Sequence, residues 1–180
     1  HLYRLAVNDY PLQVIDAGDV LIGETIEETY SNLKMVMEWF LGQQILPIVI
    51  GGSQDITIGQ YAGYEFLGQA VNLMVIDERI DLDDQEYLPP ARTWINNIFN
   101  YDPKYLFNYA GIAYQTHFNS PEILKAIDAL YFDAIRLGRL KENIQFAEPE
   151  VRDADLLSID IAAIRGADAP CRAHATPNGL

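Results

Sequence analysis

The sequence is poor in cysteine, in basic residues and in long apolar runs. A single cysteine, Cys171, excludes an internal disulfide and fits a reducing compartment, so we expect a cytoplasmic protein. No apolar run is long enough to cross a membrane, and no basic and then apolar leader opens the chain. Lys and Arg number 12 against 26 Asp and Glu, which gives a net charge of −14. This charge argues against nucleic acid and anionic membranes as partners.

What remains is the composition of a globular domain. The chain has 180 residues, of which 49% are apolar, and this is enough for one proper core. It starts at His1 without a methionine and ends in "TPNGL", a turn that should lead into another element. We therefore expect residues 1–180 to form a single domain that is incomplete at its ends.

Apolar runs alternate with amphipathic ones along most of the chain. The pattern predicts strands at 12–20, 46–52, 71–77, 105–114, 131–138 and 155–164, and helices at 25–44, 56–68, 120–130 and 142–154. Ser120 and Pro121 suit the cap and first position of the third helix. Segment 83–104 is rich in Pro and Asn and reads as an irregular surface excursion. Because the strands are continuously apolar, we predict an α/β fold with three α/β/α layers and a mostly parallel sheet.

Three predicted strands end in residues that suggest a site. In open parallel sheets, ligands bind beyond the carboxyl ends of the strands. The residues that follow these strand ends are Gly51, Gly52, Ser53, Gln54 and Asp55 after the first, Asp77, Glu78, Arg79 and Asp81 after the second, and Ser158, Asp160 and Ala162 in the third. The run "VIDERIDL" therefore places three carboxylates and a guanidinium where a buried strand emerges.

In this order, the three strand ends resemble the signatures of the arginase/agmatinase/formimidoylglutamase family of ureohydrolases. Those signatures are a Gly-Gly-Asp-His-Ser loop, an Asp-Ala-His-x-Asp strand end and a Ser-x-Asp-x-Asp strand end. The resemblance covers most of the chain, and the last loop, "APCRAHATPNGL", is similar to the formimidoylglutamase form. It implies a binuclear manganese site that activates a water for attack on a guanidinium or formimino carbon.

Carried over position by position, the resemblance predicts degenerate metal ligands. The acids Asp77, Asp81 and Asp160 are retained, whereas Gln54 and Arg79 stand where the family has histidines, and Ala162 stands where it has an aspartate. An arginine cannot lose its proton to ligate a metal, and an alanine has no donor atom. The resemblance therefore implies that a binuclear site cannot form, although one divalent ion, manganese or magnesium, could still use the three acids.

Three carboxylates about 5 Å apart repel one another by roughly 3 kcal/mol per pair at an effective dielectric constant near 20. Arg79 is the nearest cation in the sequence, and its planar fork suits a carboxylate. We therefore predict that Arg79 replaces the second metal as counter-ion, with its guanidinium within hydrogen-bonding distance of Asp77 or Asp160.

Ordinary explanations compete with each of these assignments. The run 77–84 could be a solvated charged loop, the paired glycines a tight turn, and Asp160 the partner of a structural ion pair. Glu78 could act as an acid or base, but nothing in the sequence positions it. His174 lies in the last loop and could approach the site, although it and His117 read as ordinary loop histidines. Cys171 reads as a plain thiol because no base lies near it in the sequence.

Three functions follow from these observations. The first is a metal-poor ureohydrolase relative without hydrolase activity, which works through binding or assembly. The second is a single-metal hydrolase of linear amidine C–N bonds, acting on a guanidino or formimino substrate. The third, a nucleotide-binding module, lacks both G-x-G-x-x-G and G-x-x-x-x-G-K. The resemblance implies a homo-oligomer and a small guanidino or formimino ligand.

Overall fold

The computed structural model describes residues 13–83, 87–171 and 175–180. Within these ranges the chain alternates between helices and strands. The helices are α1 (Ile26–Gly42), α2 (Thr57–Gly63), α3 (Trp94–Phe99), α4 (Pro121–Ala129), α5 (Leu137–Glu142) and α6 (Glu148–Asp153), and the strands are β1 (Val71–Ile76), β2 (Leu106–Tyr114), β3 (Asp133–Arg136) and β4 (Leu156–Ile159). No helix among the described residues has the length and apolar character needed to span a membrane.

The strands form one parallel sheet in the order β3-β2-β1-β4. β1 is central and pairs with β2 on one side and with β4 on the other. The register aligns Ile76 with Ile112 of β2 and with Ile159 of β4, so the carboxyl ends of the three strands lie side by side. The predicted α/β fold with a parallel sheet is confirmed.

Side chains of β1 alternate between two hydrophobic clusters, one on each face of the sheet. Leu73 and Val75 pack into a cluster with residues of α1, α2 and α3, whereas Met74 packs into a cluster with residues of α5. This alternation is the period of two expected of a strand that is covered on both sides. The sheet therefore lies between helical layers, as the continuous apolar runs predict.

The first helical layer depends on a close contact between α1 and α2. Thr25 caps α1 by accepting a hydrogen bond from the backbone N–H of Glu28. A Cβ atom at Gly59 of α2 would lie 2.7 Å from the carbonyl oxygen of Tyr30, so only glycine permits this approach. The contact places the amino-terminal end of α2, which follows the Gly51–Gly52 turn, beside the sheet.

Two predicted strands are absent from the described residues. Residues 13–20 form no strand, and neither does segment 46–52, where Ile48 and Ile50 are 77% and 76% exposed. A strand needs a hydrogen-bonded neighbour, and no described strand lies beside either segment. An apolar, β-branched run is therefore not sufficient to form a strand.

Segment 83–104 is also different from its prediction. Among its described residues lies α3, which buries Trp94, Ile95 and Ile98 almost completely against the first cluster. Their spacing of one, three and four residues is helical and apolar on one face, a signal that the surrounding Pro and Asn residues obscured. α4 begins as predicted, with the Ser120 hydroxyl accepting from Ile123 N–H and Pro121 in the first turn.

Candidate functional site

Main-chain hydrogen bonds bring the ends of β1, β2 and β4 together. The backbone N–H of Asp160 donates to the carbonyl of Ile76 at 2.9 Å, and the N–H of Asp77 donates to the carbonyl of Ile112 at 3.1 Å. Asp77 and Asp160 therefore occupy neighbouring positions at the carboxyl edge of the sheet. This is the edge at which open parallel sheets bind ligands.

Asp77 and Asp81 form a buried acid pair. Each is 4% exposed, and the two carboxyl groups are close enough to affect one another's pKa. Burial is the main cause that raises the pKa of Asp77, and the neighbouring charges of Asp81 and Asp160 raise it further, while the backbone N–H of Arg79 lowers it. The three acids that the family resemblance singles out are thus close enough to act on one another electrostatically.

Asp81 receives two groups from the segment that precedes and begins α3. The Trp94 indole N–H donates to Oδ2 at 3.2 Å, and Nε of Arg92 lies 3.2 Å from Oδ1. Burial raises the pKa of Asp81, and Arg92 and then Trp94 oppose this rise. Arg92 is therefore the cation in direct contact with the acid pair.

The prediction for Arg79 is wrong in its partner. Its Nη1 donates to the carbonyl of Phe118 at 3.2 Å, and its guanidinium carbon lies 4.2 Å from the Phe118 ring centroid. Its nearest acid is Glu78, with 3.8 Å between Nε and Oε1. Among the described residues, the Arg79 side chain makes no hydrogen bond to Asp77 or Asp160. The side chain packs against Phe118 in the turn that follows β2.

Gln54 belongs to a buried polar cluster that joins the first and third motifs. Its amide nitrogen donates to Ser158 Oγ at 3.2 Å, and Thr57 Oγ1 lies 2.8 Å from the same oxygen. Gln54 Oε1 is buried and has no hydrogen-bond partner among the described residues. Neighbouring Asp55 is 1% exposed and accepts a hydrogen bond from the Tyr30 hydroxyl.

The loop before this cluster is a glycine turn. Gly51 and Gly52 have φ angles of 105° and 73°, which lie in the left-handed region that glycine adopts readily. Ser53 follows in an extended conformation and makes no side-chain cap. The turn aims Gln54 and Asp55 at the interior, so the glycines have a local structural role whatever else the loop does.

Asp160 and Ala162 interact with each other rather than with a cation. The Asp160 carboxylate accepts a hydrogen bond of 2.6 Å from the backbone N–H of Ala162 and thereby caps the 3-10 turn Ile161–Ala163. Among the described residues Asp160 forms no ion pair, which is the alternative that the sequence left open, and the backbone cap is its contact.

Glu78 is 6% exposed, and its carboxylate accepts a hydrogen bond of 3.3 Å from the Thr176 hydroxyl. It thus contacts the last described segment of the chain as well as Arg79. His174 lies outside the described residues. Cys171 is exposed, and His117 stacks near Phe118 with 4.1 Å between ring centroids. Among the described residues, no hydrogen bond or ion pair joins either of them to Asp77 or Asp81.

A search of residues 13–83, 87–171 and 175–180 finds no group of three His, Cys, Asp or Glu side chains arranged to bind a metal ion. The positions singled out in the sequence thus form two adjoining clusters. One contains the acids Asp77 and Asp81, and the other contains Gln54 and Ser158.

Sequence reasoning missed Arg92, Trp94 and Thr57 as site residues. Arg92 and Trp94 lie in segment 83–104, whose Pro and Asn content predicts a surface excursion. The helical spacing of Trp94 with Ile95 and Ile98 would have indicated a buried helix. A buried helix at that position would in turn have placed Arg92, two residues before it, close to the core. For Thr57 the sequence carries no comparable signal, because its contact with Ser158 joins residues 101 positions apart.

A scan against protein families matches the arginase family over residues 3–180. The chain therefore belongs to the arginase family, as the three motifs predict.

Among individual proteins, the chain is similar to formimidoylglutamases. It is 28% identical to the enzyme of Geobacillus kaustophilus over 178 residues, which is 93% of this chain and 54% of the relative. It is 24% identical to that of Lysinibacillus sphaericus over 181 residues, 93% of this chain and 55% of the relative. The chain thus spans about half the length of the curated relatives it matches.

Solved structures give the same fold. A Trypanosoma cruzi formiminoglutamase crystallised with Mn²⁺ superposes with a TM-score of 0.81 at 17% identity, over 92% of this chain and 58% of the other. The Bacillus subtilis formimidoylglutamase gives a TM-score of 0.77 at 19% identity, over 92% and 55%. At these identities the likeness establishes the architecture.

Proposed function

We propose that this protein is a formimidoylglutamase-like member of the arginase family that acts through binding or assembly and does not carry out the family hydrolysis. One observation carries the proposal. The three positions where the family motifs have two histidines and an aspartate contain Gln54, Arg79 and Ala162, and each of these makes a different local contact.

The donor atoms at these positions do not fit a pair of manganese ions. The Gln54 amide nitrogen is bonded to Ser158, which leaves one neutral oxygen as a donor. The Arg79 guanidinium has no lone pair to offer and contacts Phe118. Ala162 provides a backbone N–H, which repels a cation. Imidazole and carboxylate are the ligands that such a metal pair requires, so we assign no chemical step to a metal here.

The acids of the second motif support a binding role. The acid pair is buried at the edge of the sheet, where small ligands bind in this class of fold. A small guanidino or formimino compound is the ligand class that the acids would attract, and it would have to displace Arg92 from Asp81. We further propose a cytoplasmic homo-oligomer, with the protein itself as the main partner and with neither nucleic acid nor membrane as a partner. The net charge of −14 supports the last point.

A single-metal hydrolase is the second candidate, and one observation favours it. Asp81 and Asp160 both raise the pKa of Asp77, so the three acids converge and one divalent ion would relieve their repulsion. Manganese or magnesium would suit carboxylate oxygens. In this case Asp77, Asp81 and Asp160 would hold the ion, and they would have to move closer together, because no three such side chains among the described residues are arranged to bind a metal.

Metal content separates the two candidates. The protein, at its natural length, is purified with manganese present, desalted and analysed for metals beside the Geobacillus kaustophilus formimidoylglutamase. We expect well under one equivalent per chain and no turnover of formiminoglutamate, arginine or agmatine. One tight equivalent together with turnover would contradict the proposal and favour the single-metal hydrolase.

Restoring the ligands tests the alignment of the motifs. The triple variant Gln54→His, Arg79→His and Ala162→Asp is expected to gain manganese binding, because the strand ends still meet at one point and three restored ligands outweigh the single ion pair of Arg92 with Asp81. The matched control replaces exposed residues of the same kinds outside the site, with Gln145→His, Arg152→His and Ala175→Asp, and should bind no more metal than the parent. Both proteins are checked by circular dichroism. A folded triple variant without manganese binding would show that these positions do not converge.

A further inference from the structure

We infer that Arg92 is an internal counter-cation, which occupies the acid pair of Asp77 and Asp81 and excludes a divalent ion from it. The inference deepens the proposed function and rests on it. Arg92 ends the 3-10 turn Pro90–Arg92, and its Nε lies 3.2 Å from Asp81 Oδ1. The guanidinium thus reaches the sheet edge from a segment outside the three strand-end motifs.

The acid pair needs such a cation. Asp77 and Asp81 are each 4% exposed, and an isolated buried carboxylate loses most of its hydration. Trp94 donates to one oxygen of Asp81, but Oδ1 has no hydrogen-bond partner among the described residues. That unpartnered oxygen is the atom that faces Arg92. The attraction is an ion pair at close range, since the Nε–H of Arg92 is not aligned for a hydrogen bond.

Among the described residues the Arg79 side chain makes no hydrogen bond or ion pair with the acid pair, although it is nearer in the sequence. Its guanidinium is fixed by the Phe118 carbonyl and ring and by Glu78. Arg92 instead comes from a segment whose next residues anchor it firmly, because Trp94 and Ile95 are fully buried. The indole N–H of Trp94 and the guanidinium of Arg92 therefore reach Asp81 from one short segment, which the buried side chains of Trp94 and Ile95 hold in place.

This arrangement assigns a ligand class to the site. Arg92 meets the acid pair through one close contact with Asp81, so Asp81 is a guanidinium contact that the chain fills from within. Removal of the Arg92 side chain should open the site to a free guanidinium ion. It should also let a divalent cation approach the acids.

The test is chemical rescue of Arg92→Ala, followed by thermal unfolding in the presence of EDTA. We expect Tm to fall by about 2–8 °C, less than for a fully buried pair, because Asp81 is buried whereas the Arg92 side chain is 36% exposed. Guanidinium chloride at low millimolar concentration, far below denaturing levels, should recover a large part of this loss. It should not raise the Tm of the parent, whose site is already filled.

Two controls make the result specific. Sodium chloride and tetramethylammonium chloride at equal ionic strength should not rescue Arg92→Ala, and guanidinium should not rescue Arg79→Ala or Arg139→Ala. Arg139 is a suitable match because its guanidinium lies over the Phe146 ring, 4.3 Å from the centroid. A Tm for Arg92→Ala equal to that of the parent, or equal rescue by every salt, would overturn the inference.

Should Arg92→Ala fail to fold, the double variant Asp81→Asn with Arg92→Ala provides the second measurement. Removal of the charge that Arg92 balances should restore folding, and a double variant that also fails to fold would contradict the inference. Metal analysis keeps the two proposals apart. Manganese in the parent protein contradicts both the proposed function and the exclusion of metal by Arg92, whereas absence of rescue in a metal-free protein contradicts the role of Arg92 alone.

Discussion

At the scale of the residue, each unusual position in the motifs has a local partner. Gln54 bonds Ser158, Arg79 bonds Phe118, and Asp160 caps the turn that contains Ala162. A buried polar group without a partner costs about 1–3 kcal/mol, so contacts of this kind are what allow such residues in the fold. The motifs therefore contribute to stability independently of any ligand.

Away from the site, an ion pair joins the first helical layer to the turn after α2. Lys34 Nζ lies 2.5 Å from Glu65 Oε2, and the Tyr101 hydroxyl donates to the same oxygen at 2.9 Å. The hydrogen bond from Lys34 lowers the pKa of Glu65 below 4.5, and the bond to Glu65 raises the pKa of Lys34 above 10.5. Both side chains are about one third exposed, so water weakens the pair.

The first prediction concerns the pH dependence of this pair. A lowered carboxyl pKa contributes stability above pH 4.5, which is lost as pH falls through the folded-state value, and a raised lysine pKa contributes below pH 10.5. Glu65→Gln should therefore reduce the free energy of unfolding at pH 7 by less than about 1 kcal/mol and should have a smaller effect below pH 4. Urea titrations at several pH values measure this. A loss that is equal at pH 3 and pH 7 would contradict it.

At the scale of the element, α3 connects the core to the site. It begins two residues after Arg92, and its apolar face packs against residues of α1, α2 and β1 in the first cluster. Its polar face includes Asn97, which is exposed. Trp94 lies on the apolar face and also donates a hydrogen bond to Asp81, so a shift of the helix would alter the acid pair.

The second prediction compares two positions within α3. Ile98 is 1% exposed, so Ile98→Ala should reduce the free energy of unfolding by about 2–5 kcal/mol through lost burial and a cavity. Asn97→Ala, one residue away on the opposite face, should change it by less than about 0.5 kcal/mol. Denaturant titration of both variants measures the difference. Equal losses for the two variants would mean that the helix is not packed as described.

Sequence reasoning succeeded for elements that carry their own signals and failed where a neighbour decides. α1 and α4 were predictable from Thr25, Ser120 and the apolar period, because capping and amphipathic spacing are local. Segment 46–52 has the composition of a strand, but hydrogen bonding to a neighbour decides whether it becomes one. The motifs predicted that Asp77 and Asp160 lie close together at the carboxyl edge, as they do, yet they named Arg79 rather than Arg92, since the direction of a long side chain depends on tertiary contacts.

At the scale of the whole molecule, β4 is an edge strand of the described sheet, and apolar side chains on one of its faces are exposed. The register pairs Leu157 with Met74 and Ile159 with Ile76, which puts both on the face of the second cluster. They are nevertheless 45% and 58% exposed, whereas Met74 is 1% exposed. Among the described residues, β4 pairs only with β1. An edge strand with exposed apolar side chains favours association with a second copy.

The third prediction is that the 180-residue chain self-associates through this edge. The net charge of −14 opposes association, so salt should promote it by screening. Ile159→Lys should reduce the associated fraction, because a lysine on an edge strand disfavours pairing. Ile144→Lys, at a 65% exposed position in the turn after α5, is the control and should have little effect. Sedimentation velocity over a range of concentrations measures this, and a monomer at every salt concentration would contradict it.

The hydrogen bond from Asp160 N–H to the Ile76 carbonyl has a consequence for how this site can change over evolutionary time. The bond belongs to the peptide backbone, so it persists whichever side chain stands at either position. A mutation at one strand tip therefore leaves the aim of its neighbours intact. Side chains at the strand ends can therefore change one at a time, because each intermediate sequence keeps the backbone bonds that align the strands.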